Sequence, residues 1–219
     1  MTPIHVVAEI GSGTFTRRGA IALDSLLIHQ TCLRQGRLSV DASTCSGDIE
    51  IPIAREPGGR FYLASVSHGK PVARELQYTN RRPAIAEMQA LCDPQATRVI
   101  NISLGANKGY RIPRSITYYE RDELEWWAIG DPDGVRDLLA TITHLGARRG
   151  VGLGRVMRWR VEECEPWGDG FPVVLDGKPT RNLPLDWPGV AGSRVGFGVL
   201  SPPYWDQTRE ERCFTPETQ

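Results

Sequence analysis

Three glycines at alternate positions, framed by arginines and placed between a helix and a strand, restrict this chain more than any other stretch. They lie in Ala147-Arg148-Arg149-Gly150-Val151-Gly152-Leu153-Gly154-Arg155, inside residues 131–164. Ahead of them, Asp131 is placed to accept the first-turn amides of a helix. Pro132 stands at the first helical position, where its missing N–H costs nothing. Val135, Leu138, Leu139 and Ile142 recur at helical spacing, and Gly146 suits the left-handed position that ends a helix. Residues 156–161 have a strand pattern, with Arg158 and Arg160 on one face and Met157 and Trp159 on the other. A Rossmann or P-loop phosphate cradle needs its glycines between a strand and the helix that follows. Here the order is reversed, so that reading fails on connectivity.

The N-terminal pattern complements this unit. Residues 4–10 read as a strand, Gly11-Ser12-Gly13-Thr14 as a turn, and residues 23–35 as a helix. Leu23, Leu26, Leu27 and Thr31 share one side of that helix, and Gly36 is its stop signal. Strand then helix at the start, helix then strand at 131–164, outlines an α+β, ferredoxin-like (split β-α-β) domain. Between them, residues 49–53 alternate, although Pro52 demotes them to an edge. Residues 61–66 form a firmer strand, entered through Pro57-Gly58-Gly59. Residues 84–92 read as a short helix, and 125–129 as a strand feeding the Asp131 helix. Residues 99–102 and 116–119 could pair as a hairpin across the basic stretch 108–114. Past Glu165, prolines punctuate the chain with Trp167, Trp187 and Trp205 between them, and 195–200 is one short strand. The expected organisation is one domain over 1–165, with an inserted hairpin around 97–121. A loop-rich extension over 166–219 would be held to it by buried aromatics.

Five scattered cysteines, an odd number without a C-x-x-C pair, argue for free thiols in a reducing, cytoplasmic setting. They argue against a zinc site, and no cofactor is expected. No apolar run approaches the roughly 20 residues of a membrane span, and no secretion signal is legible at the N-terminus. The formal net charge of zero counts against a nucleic-acid binder unless the basic residues are concentrated. They are. Arg148, Arg149, Arg155, Arg158 and Arg160 fall within thirteen residues. Lys108, Arg111, Arg114 and Arg121 form a second group, and Arg74, Arg81 and Arg82 a third. Acidic residues gather instead at 162–165 and 209–212. Such segregation fits a local anion-binding groove, and equally a solvated surface or a protein interface.

With this outline in place, the chain resembles the repeat-associated (RAMP) proteins of CRISPR systems, whose RRM-like fold carries a Gly-rich loop before the last core strand. Residues 146–155, followed by Val156-Met157-Arg158-Trp159, match that loop in kind and place. Leu23-Asp24-Ser25-Leu26-Leu27, Phe61-Tyr62-Leu63-Ala64-Ser65 and Trp127-Ala128-Ile129-Gly130-Asp131 look like the type IV subunit of the 5′-handle-binding (Cas5-like) class. The resemblance spans most of 4–164 and leaves the tail uncovered. It implies a non-catalytic cap at one end of a CRISPR ribonucleoprotein, holding the 5′ handle of the guide RNA. Its implied neighbours are the backbone RAMP subunit and the large subunit, with target DNA duplex near the handle.

The residue chemistry suits RNA. Gly146, Gly150, Gly152 and Gly154 let a backbone approach closely, and exposed consecutive amides can cradle an anion. Arg148, Arg149 and Arg155 can contact phosphates in bidentate fashion or stack on splayed bases. Lys108, Arg111 and Arg114 add charge, and Tyr118 and its neighbour Tyr119 offer stacking surfaces. Against this stands a plain turn with solvated arginines. Arg81-Arg82-Pro83 reads as a solvated turn. Ser65, Ser67, His68 and Lys70 beside Gly69 could admit a backbone, or simply end a strand. Two other functions stay open: a metal-independent repeat endoribonuclease, using His29, His68 or His144 as acid or base, and a ferredoxin-like protein-interaction module without RNA.

Overall fold

Alternating burial builds the central sheet. In the computed structural model, which describes residues 1–14, 20–37, 49–81, 110–190, 192–204 and 206–216, β1 (Thr2–Ile10) turns Ile4, Val6, Ala8 and Ile10 inward. His5 and Glu9 point to the other face. α1 (Leu23–Arg34) follows, burying Leu23, Asp24, Leu27, Gln30 and Cys32. Its chain then leaves at Gly36 with φ of 64°, as expected of a glycine stop. β2 (Pro71–Arg81) and β3 (Tyr110–Tyr119) pair only with each other as strands, antiparallel from Pro71↔Tyr119 to Arg81↔Tyr110. β4 (Glu123–Gly130) alternates strictly, with Leu124, Trp126, Ala128 and Gly130 buried. After it come α2 (Pro132–Leu139) and β5 (Val156–Glu163).

The sheet order is β4-β1-β5, with both pairs antiparallel. Both helices bury their apolar sides in one cluster with Ile4, Val6, Ala8, Trp126 and Val161, so they cover the same face. Burying each such side chain is worth about 1.5–3 kcal/mol. The mixed helix and antiparallel sheet make the fold α+β. Outside β4, residues 53–68 run along the edge through single bridges, Ile53↔Gly130, Ala64↔Ala128 and His68↔Glu125. The strands expected at 49–53 and 61–66 are therefore not continuous. Pro52 has no amide proton to give a ladder, and the Glu56–Gly59 turn interrupts the run. The inward alternation of Ile49, Ile51 and Ile53 is nevertheless present.

One further expectation is corrected. The helix after Asp131 ends at Leu139, well short of Gly146. Ile142 N–H bonds the carbonyl of Leu139, and Thr141 Oγ1 lies 3.0 Å from the Leu138 carbonyl. The chain then extends so that Val156 N–H reaches Thr143 O and Leu145 N–H reaches Gly154 O. Ile142 is still buried, so its helical spacing reflects the core and not the helix. Residues 116–119 lie in β3 and pair with β2, a strand without a legible pattern of its own. The expected partner 99–102 and the expected helix 84–92 lie outside the described residues, as does Trp205.

The C-terminal extension is ordered by small sheets: β6 (Val174–Leu175) with β7 (Lys178–Pro179), and β8 (Leu183–Pro184), β9 (Val195–Gly198) and β10 (Glu211–Phe214) in the order β8-β10-β9. A second cluster of Phe61, Val173, Val174, Leu183 and Val190 joins it to the edge segment. Two of its tryptophans, each half-buried, contact aromatics of the body. Trp187 packs edge-on to Phe61, and Trp167 edge-on to Trp127 at 5.2 Å. No helix among the described residues is long and apolar enough to cross a membrane.

Candidate nucleic-acid interface

The Gly/Arg loop is a built structure. Gly146, Arg148, Gly152 and Gly154 all have positive φ, and residues 149–151 form one 3₁₀ turn. Gly154 cannot be replaced in place. A Cβ there would lie 2.0 Å from the Leu145 carbonyl oxygen, at φ of 67°. Gly150 and Gly152 have open space around them.

What braces the loop is the Gly11-Ser12-Gly13 turn after β1. Gly154 N–H bonds Gly13 O at 3.0 Å, and Gly11 N–H bonds Arg155 O at 2.8 Å. Ser12 Oγ donates to Gly152 O at 2.9 Å and accepts from Arg155 N–H at 3.1 Å. Gly13 is pressed in turn against β3: a Cβ on it would meet Ile116 Cγ2 at 2.4 Å and Tyr118 Cε1 at 2.9 Å. From sequence, Ser12 and Gly13 read only as a turn. Their small size between a strand and a long gap is the available signal.

Arg148, Arg149 and Arg155 are exposed and form no ion pair among the described residues. Arg158 is exposed on β5. Arg160, grouped with them by sequence, lies half-buried between Glu9 (3.3 Å) and Glu123 (2.6 Å). Of the second basic group, Tyr118 sits near the loop through Gly13, but its hydroxyl donates to Glu75 Oε2 at 3.1 Å. That bond and burial raise the phenol pKa above its ordinary value. Arg114 and Arg111 lie four and seven residues back along β3, about 13 and 23 Å away at roughly 3.3 Å per residue. Lys108 and Arg82 lie outside the described residues. The structure thus brings together the loop and Tyr118, while Arg111 and Arg114 are carried off along the hairpin.

The remaining candidates have local partners. Ser65 Oγ accepts Trp127 N–H, Ser67 Oγ accepts Ile21 N–H, and Lys70 pairs with Glu120 at 3.2 Å, so they fasten the edge segment. His68 packs edge-on to Trp127 with a buried, unbonded Nε2, and burial lowers its pKa despite Glu125. The His29 pKa on α1 is lowered chiefly by burial and then by the charge of Arg149. His144 Nδ1 lies 3.0 Å from Thr143 Oγ1. Cys32 and Cys213 are buried, and Cys164 is partly exposed. Among the described residues, no three His, Cys, Asp or Glu side chains gather as metal ligands.

The outer face of the sheet is a different environment. His5 stacks on Trp127 and contacts Glu125 Oε2 at 2.9 Å. Glu9 stands directly across from Glu123, and His5 from Glu162. The four carboxylates of that face are mixed with Arg158 and Arg160 of β5, which stand across from Glu9 and Val7, so the face carries both signs of charge.

The α+β domain thus carries a braced glycine loop whose three arginines are exposed and form no ion pair among the described residues. The family model described as CRISPR type IV associated protein Csf3 matches residues 51–216. The chain belongs to that family and is type IV CRISPR-associated. The match takes in the Gly/Arg loop and most of the C-terminal extension, and begins beyond α1. No curated protein matches the chain.

Proposed function

We propose that the protein is a non-catalytic, RNA-binding structural subunit of a type IV CRISPR ribonucleoprotein, capping the complex by holding the 5′ handle of the guide RNA. The order β4-β1-β5, with two helices on one face and residues 53–68 outside β4, supports a ferredoxin-like fold of the RAMP, 5′-handle-binding kind. The observation that carries the functional reading is the loop. Arg148, Arg149 and Arg155 are exposed, and without an ion pair among the described residues, on a backbone fixed by Gly11-Ser12-Gly13. Pre-ordering the backbone lowers the conformational cost of binding an anion. The backbone RAMP subunit and the large subunit are the proposed neighbours, with target duplex close to the handle.

The test is charge reversal, R148E/R149E/R155E, with single-stranded repeat RNA titrated over a salt series. Weaker binding is expected, with a salt slope shallower by about 0.7 for each phosphate that the variant no longer neutralises. Unchanged affinity would instead favour a protein-interaction module. The nuclease alternative draws on His29, His68 or His144, of which His144 bridges Arg155 at the end of the loop. Labelled repeat RNA incubated in EDTA should stay intact; cleavage that disappears in His29→Ala, His68→Ala or His144→Ala would overturn the non-catalytic reading.

A further inference from the structure

Beside the Gly/Arg loop, the sheet domain and the C-terminal extension enclose a cleft of about 840 Å³. That is within the roughly 300–1,000 Å³ of small-ligand pockets. Gly146 and Ala147 line one wall and lead straight into Arg148, and Ser25 at the start of α1 stands with them. β9 also lines the cleft, and its Phe197 is 75% exposed. Gly196 and Gly198 turn to the other face of β9, toward Thr215 and Asn182, while the ring stands open to solvent.

The charges of the cleft indicate which part of a ligand it suits. Arg181 in the floor is 2% exposed and already bound to Asp24. Arg194 and Glu210, the other charged residues of the lining, carry opposite charges. The interior is therefore close to neutral, whereas its rim continues into the cationic loop. A near-neutral pocket with an open aromatic face beside unpaired arginines suits a base inside and its phosphates outside.

We infer that the cleft takes a splayed base of the RNA strand whose phosphates the Gly/Arg loop holds, stacked on Phe197; this rests on the RNA reading above. The test uses the full chain and single-stranded repeat RNAs carrying one 4-thiouridine at successive positions. One position crosslinks to the peptide containing Phe197. Phe197→Ala and Phe197→Leu weaken binding about tenfold, equivalent to about 1.4 kcal/mol, without changing the salt slope. Phe197→Tyr, which keeps the ring, retains affinity. No crosslink in the cleft, or a Phe197→Ala affinity within about twofold of the parent, overturns the inference. If R148E/R149E/R155E flattens the salt slope while Phe197→Ala has no effect, the RNA reading stands and the base site falls. If neither variant changes binding, both fall.

Discussion

Arg181 and the loop arginines occupy opposite extremes of one side chain's chemistry. The Arg181 guanidinium is buried in the C-terminal extension. It donates to the carbonyls of Tyr62, Ala64 (3.0 Å) and Leu200 (2.6 Å) and to Tyr204 OH (2.7 Å), and it pairs with Asp24. Tyr204 OH donates to the same Asp24 carboxylate at 2.7 Å, and the Phe61 ring lies under the guanidinium at 4.8 Å. Arg148, Arg149 and Arg155 have the reverse situation: braced backbone, exposed side chains and no carboxylate partner among the described residues. The first arrangement uses its donors inside the protein and joins three segments, while the second leaves its donors for something outside. A charged residue is informative about binding only once its internal partners are known.

The largest expected effect lies on the buried side of this comparison. Arg181→Met leaves Asp24 as an uncompensated buried charge, which costs about 3–5 kcal/mol. For a chain of this size that is a fall in Tm on the order of 10 °C, read by thermal or urea unfolding. A double variant, Arg181→Met with Asp24→Leu, should recover part of the loss. A single-variant loss below about 0.5 kcal/mol would mean that the network does not hold the extension.

Next comes the backbone under the exposed side. Gly154→Ala forces a side chain into a left-handed position and against Leu145 O, straining the bond that closes the loop. The expected loss is roughly 2–4 kcal/mol. Gly150→Ala, four residues earlier and with nothing within 4 Å, should stay within about 0.5 kcal/mol. Equal effects at the two positions would show that the loop is not braced as described.

Alkaline pH separates the same two regions. Burial raises the Tyr204 phenol well above its ordinary value, with Arg181 opposing, and it pushes the Cys213 thiol up from 9.0 to about 11. Both groups favour their protonated forms when folded, so their contribution is fully present below the unfolded pKa. For Cys213 it is lost as pH rises from about 9 through 11. Two pKa units correspond to about 2–3 kcal/mol. Urea midpoints measured across that window should fall, and Cys213→Ala should flatten the fall.

How much of this was legible in the sequence varies with where the signal comes from. β1, α1 and β4 were legible because one face of each is buried by the same core, and burial imposes periodicity. β2, PVARELQYTNR, was not: it is a strand through pairing with β3, and its composition is that of a solvated surface. The length of α2 was misleading because Ile142 stays in the core after the helix has ended. The glycine loop and its arginines were legible as a unit, since local spacing defines it. Its brace was not, because Ser12 lies 140 residues from Gly152 in the chain. Arg181 gave no signal, being one arginine in a proline-rich tail whose partners lie on α1 and the edge segment.

Arg160 is the sharpest case and carries the smallest expected effect. Sequence places it with the loop arginines, but it sits between Glu9 and Glu123, two carboxylates directly opposed across β1 and β4. Removing it leaves like charges facing each other, which is destabilising. The site is half-exposed, so the cost is only about 0.2–1 kcal/mol and shrinks with added salt. Arg160→Gln should therefore lower the urea midpoint slightly at low ionic strength and leave RNA affinity as it was. Reversal of the three loop arginines should do the opposite, altering stability by less than about 0.5 kcal/mol while weakening RNA binding. A drop in RNA affinity in Arg160→Gln as large as in the loop variants would move the interface onto the sheet face. The carboxylates there would then have to be neutralised by the bound strand's own cations, so that binding would strengthen with added divalent ion rather than weaken.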